Sequence, residues 1–248
     1  NQMSDDSKPL PIIYCAIDTT DLDHAKALAA AMERAGCGIK LGMEFFNAQG
    51  PQGIKEIRNA YPELSLFIDL KYHDIPNTVA GAIRAITPIG ADFVNVHASG
   101  GLEMMKYARN AMDEEADKVG VKPAKVLGVT MLTSLDDAAV TEVGFNGNSA
   151  DNVRRLAKLT QKAGLDGVVC SAKEIEIVRQ ECGPDFDLMV PGIRPTGSDI
   201  GDQKRIMTPE EALHIGATHL VIGRPITQAD DPASFALTLS TKLHKSAA

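Results

Sequence analysis

The segment Phe67-Ile68-Asp69-Leu70-Lys71-Tyr72-His73-Asp74-Ile75-Pro76-Asn77-Thr78 sets two carboxylates and an ammonium directly after an apolar start. In an extended strand Asp69 and Lys71, two residues apart, point to one face. Asp74 follows just past the strand, which Pro76 stops from continuing. Such charges cost several kcal/mol each to bury unless they are paired. With Lys40 at the equivalent height of the preceding strand, Lys40, Asp69, Lys71 and Asp74 form an alternating set that would keep each member ionised. A purely structural ion pair capping the strand would leave the same pattern.

A second set of polar residues lies late in the chain. The stretch Pro191 to Pro209, rich in Gly, Pro and polar side chains, is long for a connection and reads as a lid-like loop. It carries Arg194. A later apolar run ends in Ile222-Gly223-Arg224-Pro225-Ile226-Thr227. There Gly223 would let a ligand approach the backbone, Arg224 offers a fork of donors, and Pro225 can open a short helix facing an anion. Surface solvation is the ordinary fate of both arginines; their place at two successive strand ends weakens that reading. His97 reads as a hydrogen-bonded core residue, and His73 as alternating away from Lys71. No carboxylate or second His stands at metal-ligand spacing from His97, and no phosphate-loop or dinucleotide glycine motif follows a strand. No metal and no cofactor are therefore expected.

These residues need elements to hold them. Eight apolar, Val- and Ile-rich runs predict strands at Ile12–Asp18, Gly38–Gly42, Ser65–Lys71, Phe93–Ala98, Lys125–Leu132, Gly167–Ser171, Leu188–Ile193 and His219–Arg224. Helix-period segments lie between them. Asp21–Gly36 and Asp151–Gly164 begin on an acid and end on Gly, and Thr208–Gly216 opens with a capping Thr, a Pro and Glu211. A repeated strand–helix unit over 248 residues predicts an α/β fold, a (β/α)8 TIM barrel in a single domain spanning residues 11–248. An open doubly wound sheet is the competing arrangement. In a barrel, chemistry sits at the strand C-termini, which here supply Asp18, Lys40, Asp69, Lys71, His97, Thr133, Ser171, Arg194 and Arg224.

Composition narrows the function classes. The net charge of −8 and eleven aromatics without Trp argue against a nucleic-acid or anionic-membrane binder. No apolar run approaches the length of a membrane span. Residues 1–10, acidic and without an apolar stretch, read as a disordered or tag-derived tail rather than a secretory signal. Four scattered cysteines without a C-x-x-C pair read as buried thiols of a cytoplasmic protein.

Asp69–Thr78 resembles the D-x-K-x-x-D signature of the orotidine 5'-monophosphate decarboxylase family, in its bacterial form. The similarity extends, in order, through Ala16-Ile17-Asp18, Ile39-Lys40-Leu41-Gly42, Val96 to Gly101, Val129 to Ser134, Pro191 to Pro195, Gly201 to Arg205 and Val221 to Ile226. Tyr72 and the spacer Thr196–Ile200 are minor departures that touch no expected role. The resemblance implies a cofactor-free carboxy-lyase that converts orotidine 5'-monophosphate to uridine 5'-monophosphate and CO2 in pyrimidine synthesis. It also implies a homodimer.

Carried over, Lys71 is the proton donor to C6 of the pyrimidine and Asp69 faces the leaving carboxylate. Asp74 reaches the partner's site with Thr78 close by, and Asp18 and Lys40 hold the ribose hydroxyls. Thr133 borders the pyrimidine, while Arg194, Gln203, Gly223 and Arg224 bind the phosphate. Metal-using sugar-phosphate enzymes of the same wider group share D-x-K-x-x-D but carry an acid where this chain has Lys40. A non-catalytic phosphate-binding barrel would need Gly223 and Arg224 without Lys71 and its acids.

Overall fold

The computed structural model describes residues 8–196 and 207–248. Eight strands, β1 (Ile13–Ile17), β2 (Gly38–Leu41), β3 (Leu66–Tyr72), β4 (Phe93–His97), β5 (Lys125–Val129), β6 (Gly167–Val169), β7 (Asp187–Val190) and β8 (His219–Ile222), pair in sequence order. All pairings are parallel, and β8 returns to β1 to close a barrel. The open-sheet alternative is thereby excluded. Around it run α1 (Leu22–Ala35), α2 (Met43–Ala60), α3 (Pro76–Ile86), α4 (Leu102–Val119), α5 (Asp137–Glu142), α6 (Ser149–Lys162), α7 (Ile175–Cys182), α8 (Pro209–Ile215), α9 (Arg224–Thr227) and α10 (Pro232–Ala247). Among the described residues no helix is long and apolar enough to cross a membrane.

Local chemistry sets the helix ends. The Asp21 carboxylate accepts from the His24 N–H at 2.8 Å, and Gly36 at φ 69° closes α1 in the left-handed conformation that glycine tolerates. Thr208 and Glu211 form a reciprocal capping box on α8. In α6 the cap is Asn148 rather than Asp151. Asp151 is the third helical residue and completes a capping box with Asn148, so the helix starts at Ser149, ahead of the acid that marked it in the sequence.

Strand alternation divides the apolar residues into two cores. Outward side chains meet the helices in a large continuous cluster. Inward ones, Tyr14, Ala16, Phe67, Phe93, Leu127, Met189 and Val221, form a separate cluster that fills the barrel itself. Tyr14 and Phe93 meet edge to face at a centroid distance of 5.5 Å. Towards the strand N-termini polar pairs tie the floor: the Tyr14 and Ser65 hydroxyls lie 2.7 Å apart, and Ser65 donates to Asp92. Lys125 reaches Asp187 at 2.7 Å across the intervening β6. Among the described residues the barrel interior is filled by this packing, and in such a fold the chemistry belongs to the strand C-terminal end.

Candidate active site

At that end four residues, Lys40, Asp69, Lys71 and Asn95, bring charge or an amide rather than hydrocarbon. Lys40 on β2 faces Asp69 on β3, with Nζ 3.2 Å from Oδ2. Lys71 Nζ donates to the other oxygen, Oδ1, at 2.8 Å. Asn95 on β4 donates to the same Oδ1 at 2.8 Å. Asp69 is only 6% exposed. Burial pushes its carboxyl up, but the two ammonium groups and the hydrogen bonds from Lys71 and Asn95 outweigh that and hold it below the usual carboxylate range. One carboxylate thus fixes two cations and keeps its own charge.

The backbone under this cluster is irregular. Ile68 pairs with Val94 and the next matched pair is Tyr72 with Val96, so β3 bulges between them. Lys71 has φ 48°, the one non-glycine residue with positive φ among the described residues. A left-handed conformation costs an L-residue about 1–2 kcal/mol and persists only where its surroundings enforce it. Asp69 and Lys71 do meet at the barrel mouth as their spacing predicts, but through this bulge rather than through simple strand alternation.

His97 corrects the sequence reading. Its side chain makes no hydrogen bond among the described residues; half-buried, it lies against His73, with ring centroids 5.2 Å apart. Burial pushes its pKa down, and the neighbouring His73 and Lys71 add to the shift while Asp69 opposes it. A neutral imidazole beside the Lys71 ammonium follows. Ser171 is structural: with Glu174 it caps a short turn.

The other expected residues surround the cluster without joining it. Asp18 and Thr133 are exposed just beyond β1 and β5. Asp74 makes no ion pair among the described residues; its Oδ1 accepts from the Ile75 N–H at 2.7 Å, and it stands exposed with Ile75 and Thr78 where β3 runs into α3. Val190 pairs with Leu220, and half-buried Arg194 and exposed Arg224 each lie four residues beyond those partners, on adjacent strand ends. Gly223 precedes Arg224, and among the described residues a side chain there would meet nothing closer than Ala16 Cβ at 3.6 Å. Packing among the described residues therefore does not demand glycine at that position. Gln203, and most of the stretch expected to form a lid, lie outside the described residues. Asn95, which the sequence reading missed, is an amide among Val and Phe and signals only that an inward strand position is polar.

Comparison with known proteins agrees with this geometry. The family model for the orotidine 5'-phosphate decarboxylase / HUMPS family matches residues 11–238. The chain is 51% identical over 231 residues to the orotidine 5'-phosphate decarboxylase of Rhodospirillum rubrum, covering 93% of each chain. It is 46% identical over 234 residues to that of Idiomarina loihiensis, covering 94% of this chain and 98% of the relative. A crystal structure of orotidine 5'-phosphate decarboxylase from Lactobacillus acidophilus superposes with a TM-score of 0.82 at 32% identity, covering 95% of this chain and 99% of that one.

Proposed function

The chain belongs to the orotidine 5'-phosphate decarboxylase / HUMPS family and is a carboxy-lyase, and we propose that it converts orotidine 5'-monophosphate to uridine 5'-monophosphate and CO2 without a cofactor. The observation that carries this reading is the Asp69 carboxylate shared by Lys40 and Lys71 at the open end of the barrel.

Breaking the bond between C6 and the carboxylate leaves an electron pair on a ring carbon with no carbonyl placed to delocalise it. A fixed cation must meet that charge. Lys71 supplies it and delivers a proton to C6, and solvent then restores the ammonium. Asp69 against the substrate carboxylate at ~4 Å would repel it by roughly 4 kcal/mol at an effective dielectric of 20. Very difficult reactions require on the order of 20 kcal/mol of barrier reduction. In this structure both Asp69 oxygens already accept from cations or an amide, which weakens that repulsion further. Asp69 therefore acts mainly by positioning Lys71. Much of the remainder comes from binding distant parts of the substrate. Arg194, Gln203, Gly223 and Arg224 hold the phosphate, Asp18 and Lys40 the ribose, and Thr133 borders the base.

Exposed Asp74, Ile75 and Thr78 suit a two-fold dimer in which Asp74 and Thr78 complete the partner's site. Four free, buried cysteines fit a cytoplasmic location. The decisive assay follows the absorbance of orotidylate mixed with purified protein after exhaustive chelation. Turnover should survive chelation and disappear in Lys71→Ala, while that variant still binds uridine 5'-monophosphate. Turnover in Lys71→Ala equal to that of the parent overturns the assignment, and loss of turnover on chelation points instead to the metal-using members of the wider group.

A further inference from the structure

Asn95 is 1% exposed, in the middle of a strand whose other residues are apolar up to His97 at its end. Its location is set by the bulge in β3: with Ile68 opposite Val94 and Tyr72 opposite Val96, Asp69, Leu70 and Lys71 together face this single residue. Two residues beyond regular pairing deprive the Lys71 N–H of its ladder partner. The Asn95 side-chain oxygen takes that hydrogen bond at 2.9 Å. Its amide nitrogen donates to Asp69 Oδ1, the atom that also accepts from Lys71 Nζ. A carboxylate only accepts and a backbone N–H only donates, so the orientation of the amide is fixed by its partners.

We propose that Asn95 is a positioning residue for the decarboxylation, clamping the Asp69 carboxylate and the left-handed Lys71 backbone in the arrangement that presents the Lys71 ammonium to the reacting carbon. Buried beneath Asp69, it acts through these two residues without contact to the substrate. The inference rests on Lys71 being the proton donor. No other residue of similar size does both jobs. Leucine fills the volume and satisfies neither partner. Aspartate keeps the acceptor for the Lys71 N–H but sets a second carboxylate against Asp69. Glutamine is one methylene too long for the space between two adjacent strands.

The test compares Asn95→Leu, Asn95→Asp and Lys71→Ala with the parent for kcat, KM, melting temperature and calorimetric affinity for uridine 5'-monophosphate. Misplacing a reacting group by about 1 Å costs on the order of 100-fold in rate. Folded Asn95→Leu should therefore lose about 100-fold in kcat with product affinity within about threefold of the parent, because Asp18 and the phosphate-binding residues lie outside the clamp. Asn95→Asp should be nearly inactive at neutral pH and gain activity as pH falls, since the protonated carboxyl can again donate to Asp69. A merely structural role would lower the melting temperature without reversing the pH profile. The proposal is overturned by folded Asn95→Leu with kcat within about twofold of the parent, or by Asn95→Asp with the parental pH profile. The latter measurement decides alone if the leucine variant does not fold. Active Lys71→Ala would instead strike the proton-donor reading on which the inference stands.

Discussion

Asp69 carries two opposing influences: burial favours its neutral form, and the ammonium groups of Lys40 and Lys71 favour the anion and win. Its folded pKa lies below that of the unfolded chain. The stabilisation is therefore fully present above the ordinary carboxylate range and is lost as pH falls through the folded value. Replacing Asp69 by Asn leaves two cations facing each other without a counter-charge. Both lysines keep some solvent, so the cost falls below that of breaking a fully buried pair, about 1–3 kcal/mol at neutral pH. Urea denaturation at pH 7 and at a pH well below 4, where the carboxyl of the unfolded chain has taken up its proton, should show the gap between parent and Asp69→Asn narrowing on acidification. A gap of the same size at both values contradicts the linkage. The charged trio was legible in the sequence because Lys and Asp are out of place in apolar strands. Asn95 was not, since its partners depend on how β3 and β4 pair, and that long-range register leaves no local trace.

The same limit appears among the elements. The apolar run Lys125–Leu132 predicts a strand to Leu132, yet β5 stops at Val129, where the three-residue β6 ceases to offer hydrogen bonds, and Leu132 is left exposed. Helix ends were read more closely, because a cap is a local contact: Asp21, Gly36 and Thr208 fall where their side chains or backbone dictate. Gly167 shows what an element-level constraint costs. It sits in β6 between the strands that carry Lys125 and Asp187, and a Cβ there would run into the Asp187 carbonyl. Backbone cannot rotate aside as a side chain can. Gly167→Ala should destabilise by roughly 1–3 kcal/mol, as overpacking does, lowering the melting temperature by several degrees for a chain of this size. Calorimetry of that variant should also show the active-site charges unaffected in their acid response, because the strain lies at the opposite end of the barrel. An unchanged melting temperature would mean that β6 can shift away from β7.

At the scale of the whole molecule, the proposed reading has each barrel complete its machinery with a residue from a second copy. Lys40, Asp69 and Lys71 assemble within one chain, whereas Asp74 of the same signature turns outward, its carboxylate held by the Ile75 N–H and its neighbours Ile75 and Thr78 exposed. Ile75, 66% exposed at the rim of a charged site, is where the proposed dimer would bury apolar surface. Two-fold symmetry satisfies this economically, since each copy would receive what it gives. The arrangement makes a sharp prediction for mixed subunits. Lys71→Ala and Asp74→Ala should each be inactive alone. Mixed in equal amounts and allowed to exchange, half of the dimers are heterodimers, and each contains one site with both Lys71 and the partner's Asp74 intact. Roughly a quarter of parental activity should return. If Asp74 served its own chain, no combination would rebuild a site and the mixture would stay inactive, so the restored fraction reports directly on which subunit the carboxylate serves.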